Sequence, residues 1–143
     1  MIFIVWLFSE TNLNWHQIDL YRYRASNQKD MLRVCNDNPS FKEQSVELFD
    51  DALKALNPKA LIVLNAKVTK FLKDTKSWGC DNIFGHHWIE IHGRVIPAIF
   101  SGQASGHSMA KPNRELLTWH TKAFLSRLAS KAIQPPETLT EKC

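Results

Sequence analysis

Between Ser101 and Ser108 the chain reads Ser-Gly-Gln-Ala-Ser-Gly-His-Ser, after an apolar run and before a helical one. Backbone N–H groups around Gly102 and Gly106, with the hydroxyls of Ser101 and Ser105, can converge on an anion at the end of a strand. The spacing is neither a Walker A loop nor a dinucleotide fingerprint, and a plain connecting loop is the competing reading. Gly102 and Gly106 enclose Ala104 rather than a central serine, so a nucleophile elbow is absent and acyl transfer by serine is not expected. The histidines invite a metal test. His86 and His87 are adjacent and project to opposite sides of a strand, His92 lies across a turn, and Cys80 is six residues before His86. No metal is expected from that set. In helical projection His120 falls between Leu117, Ala123 and Phe124, which predicts a core-facing histidine hydrogen-bonded to a carbonyl. Trp119 and Phe124 read as packing.

Charge offers a second kind of chemistry. The formal net charge is +4, and it is unevenly spread. Residues 1–58 hold six Lys+Arg against eight Asp+Glu, while 59–100 and 101–143 each hold six against three, giving −2, +3 and +3. Lys67, Lys70, Lys73 and Lys76 recur every third residue, and Lys111 and Arg114 flank the glycine-containing loop. Such a field can hold a phosphate backbone, although a solvated helix face has the same pattern.

The elements that must position these groups read as α/β. Met1 to Phe8 is continuously apolar and suits a buried strand or a stub of one. Ile18 to Tyr23 alternates apolar with charged residues, predicting a strand that ends near Arg24 and a polar turn through Ser26 and Asn27. A short helix from Gln28 to Val34 follows. Asn38-Pro39-Ser40 starts a longer helix, with Ser40 and Glu43 at capping-box spacing and Val46, Phe49, Leu53 and Leu56 on one stripe; Asn57-Pro58 stops it. Ala60 to Leu64 has the unbroken apolar character of a strand covered on both faces, and Asn65 can cap a helix from Ala66. Trp88–Ile91, a turn at His92-Gly93-Arg94 and Val95–Phe100 form a hairpin. A last helix starts at Pro112-Asn113 and reaches about Ala132.

One ordinary domain accounts for 143 residues with 44% hydrophobic and 22% charged content, which excludes disorder, collagen and coiled coil. An eight-residue apolar run is far short of the roughly twenty a spanning helix needs, so no membrane span is expected, and nothing around it reads as a signal peptide. Cys35, Cys80 and Cys143 are odd in number and widely spaced, which points away from a disulfide framework and toward a reducing cytoplasm. The domain reading is an apolar stretch at 1–13, an α/β domain at 14–132 and a frayed tail at 133–143.

Three stretches carry a family resemblance: NWHQIDLYRYRASNQ (Asn14 to Gln28), NPKALIVLNAKVTKFL (Asn57 to Leu72), and VIPAIFSGQASGH with the following NRELLTWH (Val95 to His120). Together they resemble the uracil-DNA glycosylase superfamily, in its poorly characterised bacterial branch. The resemblance implies a three-layer α/β/α sandwich around a short, mostly parallel sheet, DNA as partner, no cofactor, and cleavage of the N-glycosidic bond of a flipped base. The family's first, Gly/Pro-rich catalytic loop has no counterpart upstream of Asn14. At the second catalytic position, where the family has His-Pro-Ser or Asn-Pro-Ser, this chain has Ser101-Gly102-Gln103. The chain therefore reads as the C-terminal two-thirds of such an enzyme, missing the first sheet strand and motif, or as a degenerate homologue that keeps the fold and a binding cleft without the reaction.

The resemblance places a cleft at strand ends near Arg24, Leu64 and Phe100. Asn27, Gln28 and Asn65 become candidates for reading a base edge. Ser101 and His107 are the catalytic candidates, with Gly102, Gln103, Ser105, Lys111 and Arg114 for phosphate contact. The alternatives are a non-enzymatic nucleic-acid-binding or interaction domain that kept the fold, and a small-molecule enzyme using the Ser101–Ser108 loop as a phosphate cradle. An unpaired sheet edge would permit a homo-oligomer.

Overall fold

The computed structural model describes residues 5–6, 18, 20–21, 28–101 and 111–139. Helix α1 (Gln28–Asp37) is separated by Asn38 alone from α2 (Pro39–Leu56). Pro39 occupies the first helical position, where a missing N–H is lost without cost. Asn38 is the N-cap, but its side chain makes no capping bond and instead donates to the Val34 carbonyl at 2.9 Å. The expected Ser40–Glu43 capping box is therefore not formed: the helix starts one residue early, and Ser40 lies inside its first turn. The predicted stripe holds. Phe49 and Leu53 are buried, and Val46 and Leu56 pack against the same cluster. Asn57 ends the helix in the left-handed region (φ 46°), its N–H reaching the Leu53 carbonyl at 3.1 Å, and Pro58 cannot continue it.

Strand β2 (Leu61–Val63) is buried throughout, as its unbroken apolar run predicts. Asn65 caps α3 (Ala66–Thr75), its side-chain oxygen accepting from the N–H groups of Lys67 and Val68 at 2.8 and 3.2 Å. Then come β3 (Trp78–Cys80), β4 (His87–Ile91), β5 (Arg94–Phe100) and α4 (Lys111–Ala129). With β1 (Val5–Trp6) these strands form one sheet in the order β1-β2-β5-β4-β3.

The sheet is mixed, not mostly parallel. Among the described strands β2 and β5 run parallel, Leu61 opposite Ala98, while β1–β2, β3–β4 and β4–β5 are antiparallel. Connection length explains the correction. Parallel neighbours need a crossover of about a dozen residues, whereas β4 and β5 are joined through His92 and Gly93. Both have positive φ, 48° and 76°, the conformation that a two-residue hairpin turn demands and that glycine supplies readily.

A second expectation also fails. Leu20 and Tyr21 lie in a bend, and Ile18 is in no strand; Leu20 and Tyr21 are consecutive and both buried in the main cluster, so they do not alternate between two faces. The rest of that predicted strand, and the turn at Ser26 and Asn27, lie outside the described residues.

Side chains on alternate residues of β2 enter different clusters. Leu61 and Val63 join Met31, Cys35, Phe49, Leu53, Val68 and Leu72 of the first three helices. Ile62 joins Ala60 and Phe124 of α4, with Leu125, Leu128 and Ile133 packed around them. Burial pushes the Cys35 thiol up, with Lys42 pulling it the other way, so this free cysteine is an inert core residue. Cys80 is disulfide-bonded, against the expectation that the widely spaced cysteines form no disulfide framework. No helix among the described residues is long and apolar enough to cross a membrane.

Candidate functional site

The Ser101 N–H donates to the Val63 carbonyl at 2.8 Å, adding one rung to the parallel pair at its carboxyl end. A cleft of about 310 Å³ opens there. Its walls come from the β3–β4 connection (Phe84, Gly85, His86), from β4 and β5 (His87, Ile99, Phe100), from Ser101, and from one face of α4. That face is Asn113, Leu116, Leu117, His120, Phe124 and Arg127, spaced three and four apart as a helix requires.

Asp81 organises the β3–β4 connection. One oxygen of its carboxylate accepts from the N–H groups of Ile83 and Phe84 at 2.9 and 2.7 Å, and the other accepts from the Trp88 indole at 3.3 Å. Burial would raise the Asp81 pKa, but the Phe84 and Ile83 amides, His86 and the Trp88 indole together hold it below the ordinary carboxylate value. The turn closes with Asp81 N–H to the His86 carbonyl at 2.8 Å and Gly85 N–H to the Asp81 carbonyl at 3.0 Å.

His86 and His87 face opposite sides, as their adjacency predicts. His86 is 3% exposed, with its ring against Trp88 (4.9 Å between centroids) and Phe124 (5.6 Å). The His87 ring meets Phe100 (5.0 Å) and Trp78 (6.0 Å). Burial pushes both imidazoles down: His87 to about 4, with Lys73 and His86 adding to the effect, and His86 with Asp81 opposing and Arg127 reinforcing. Both rings are neutral at pH 7. Among the described residues neither nitrogen of His86 has a hydrogen-bond partner, and its Nε2 stands 3.9 Å from the Asp81 carboxylate. Arg127 is in the same position: its buried Nε has no partner among the described residues, Nη2 reaches the Phe84 carbonyl at 3.5 Å, and the guanidinium lies 4.7 Å from the Phe84 ring centroid.

His120 corrects the sequence reading. It is exposed, lining the cleft rather than the core, because α4 presents that face to open space and, among its described side chains, buries Phe124 alone. Trp119 is 63% exposed and so is not packing; Phe124 is. Asn65 is spent on its helix cap. Gln28 begins α1, Arg114 lies within α4, and Lys111 sits 3.8 Å from Glu115 on the exposed start of that helix. Asn27, Gly102, Gln103, Ser105 and His107 lie outside the described residues, as does most of the Ser101–Ser108 loop; of that loop, Ser101 is placed on the cleft.

Three of the four lysines in the series have close neighbours. Lys70 pairs with Asp74 at 2.6 Å, Lys76 with Asp50 at 2.7 Å, and Lys73 lies 4.1 Å from the Trp78 ring centroid. No group of three or more metal-ligating side chains is found among the described residues. Sequence reasoning overlooked Phe84, Asn113 and Arg127. The two on α4 were legible, since 113, 117, 120, 124 and 127 trace one helical stripe on which polar residues interrupt apolar ones. Comparison with protein-family models, with curated proteins and with solved structures gives no match for this chain.

Proposed function

We propose that the chain is a uracil-DNA-glycosylase-like domain that takes one base of a DNA strand into the cleft at Ser101. The observation that carries this reading is the meeting, at the carboxyl end of the parallel pair, of aromatic faces (Phe84, Phe100) with neutral imidazoles. A flipped base needs a flat apolar surface to stack on and uncharged donors and acceptors for its edge. A volume of about 310 Å³ is at the small end of the roughly 300–1,000 Å³ usual for ligand pockets, which suits a base or nucleotide. The two clusters served by alternate residues of β2 support the three-layer arrangement that such a domain would have.

A neutral His87, on the strand next to Ser101, could donate to a base carbonyl and stabilise negative charge on a departing base. That favours residual N-glycosidic cleavage as a second reading beside binding alone. The test uses a labelled single-stranded oligonucleotide containing uracil, followed for binding across a salt series and for abasic-site formation, with His87→Gln and Ser101→Ala as controls. Binding that weakens steeply with salt and is lost in both variants supports the base cleft; abasic sites made by the parent chain and not by His87→Gln extend it to catalysis. Salt-insensitive or absent binding by the folded chain removes DNA from the reading.

A further inference from the structure

Two nitrogen-bearing side chains with unmet hydrogen-bonding capacity converge on the inner wall of this cleft from different elements. His86 comes from the β3–β4 connection and is more than nine-tenths buried, with neither ring nitrogen partnered among the described residues. Arg127 comes from the last turn of α4; its buried Nε–H is unpartnered, and no carboxylate among the described residues lies within ion-pair distance of it. Orphaned buried donors are costly, about 1–3 kcal/mol each and more for a charged group, so a native chain that keeps two against one phenylalanine ring, Phe84, has a reason to. Here the nearest anionic group is spoken for. Asp81 spends its carboxylate on two amides and an indole and stays 3.9 Å from His86. What both side chains lack is thus an acceptor, and beside a guanidinium it is an anionic one.

We propose that the inner end of the cleft is an oxyanion subsite in which Arg127 and His86 together bind a phosphate group. Phe84 covers it. Its ring stacks on His86 (6.4 Å, 14° between planes) and lies under the Arg127 guanidinium, and at 38% exposure it is the side chain whose swing admits a ligand. Arg127 supplies the charge and the fork of N–H donors; the neutral His86 ring donates one N–H. His87 lines the same cleft but turns its ring toward Phe100 and Trp78, and it takes no part in this subsite. The proposal rests on this cleft being a ligand site but does not need the ligand to carry a base. The phosphate could be free, on a nucleotide or in a DNA backbone.

The test is ligand titration followed by side-chain NMR of the Arg127 Nε–H and the His86 ring nitrogens in the full chain, with inorganic phosphate, deoxyuridine and deoxyuridine monophosphate as separate probes. Phosphate is expected to shift both signals saturably, with deoxyuridine monophosphate tighter than either part, and Arg127→Gln is expected to lower phosphate affinity about tenfold or more. Arg127→Gln lies on a half-exposed helix face, and its thermal melt reports whether it folds; Arg127→Lys, keeping charge but not the fork, should fall between. Failure of phosphate to move either signal, or binding unchanged in Arg127→Gln, overturns the subsite. Deoxyuridine binding without phosphate binding would sink the subsite and leave the base cleft standing, and phosphate binding without deoxyuridine binding would do the reverse. Non-saturating shifts spread over the exposed lysines would mean adventitious ion association and also count against it.

Discussion

The two ends of the β4–β5 hairpin carry the same kinds of residue in opposite conditions. At the turn end, His92 is partly exposed, its Nε2 lies 3.4 Å from the Asp50 carboxylate and 3.2 Å from the Asp50 carbonyl, and Asp50 also holds Lys76. Arg94 there bonds to Asn57, the residue that closes α2. At the open end, His86 and Arg127 are buried or half-buried and short of partners, and His87 is wedged between rings. Saturated polar groups at one end tie the hairpin to α2 and α3; unsaturated ones at the other surround a cleft. Residue type does not separate a clasp from a site, but satisfaction of hydrogen-bonding capacity does.

The sharpest way to break the contrast is to remove what holds the open end together. Phe124 is fully buried and packs on His86, so Phe124→Ala should cost about 3–5 kcal/mol in denaturant unfolding and collapse the cleft. Next comes acidity. His86 and His87 are depressed from the unfolded value near 6.5, so between pH 6.5 and about 4 the unfolded chain binds more protons than the folded one. Their contribution is complete above pH 6.5 and is lost as pH falls through that window, by at most about 3–4 kcal/mol for His87. Asp81 acts in the same direction at lower pH, since its pKa is held below 3.8. Unfolding free energies at a series of pH values should show this slope, and His87→Gln should flatten it. Asn65→Ala should cost about 1 kcal/mol, through loss of the cap on α3, in the same unfolding assay. The smallest effect belongs to the clasp: Asp50→Asn should cost no more than about 1 kcal/mol, because the Asp50 and His92 side chains are well exposed, and should leave ligand binding in the cleft unchanged.

Elements whose limits are set by local chemistry were legible in the sequence. Asn57-Pro58, the Asn65 cap, the apolar run Ala60 to Leu64 and the turn at His92-Gly93-Arg94 each act within a few residues; the first two stand as expected, the strand is the shorter Leu61–Val63, and Arg94 already belongs to β5. The β4–β5 hairpin was legible from its tight turn, but the mixed character of the whole sheet was not, because it depends on which neighbours pair rather than on the pattern within a strand. The alternation at Ile18–Tyr23 misled for a related reason: burial there comes from packing against helices without pairing in the sheet. The His86 end was half legible. Adjacency correctly set the two histidines on opposite faces, but their lack of hydrogen-bond partners is a tertiary fact, and the α4 stripe reads as core unless one knows that it overhangs open space.

The most direct test maps backbone and side-chain NMR shifts of the folded chain against a short uracil-containing DNA strand. Shifts concentrated at Phe84, His86, His87, Ser101, His120 and Arg127, with His92, Arg94 and Asn57 undisturbed, are the predicted result; shifts confined to the turn end, or absent altogether, would contradict the assignment of the open end as the binding site.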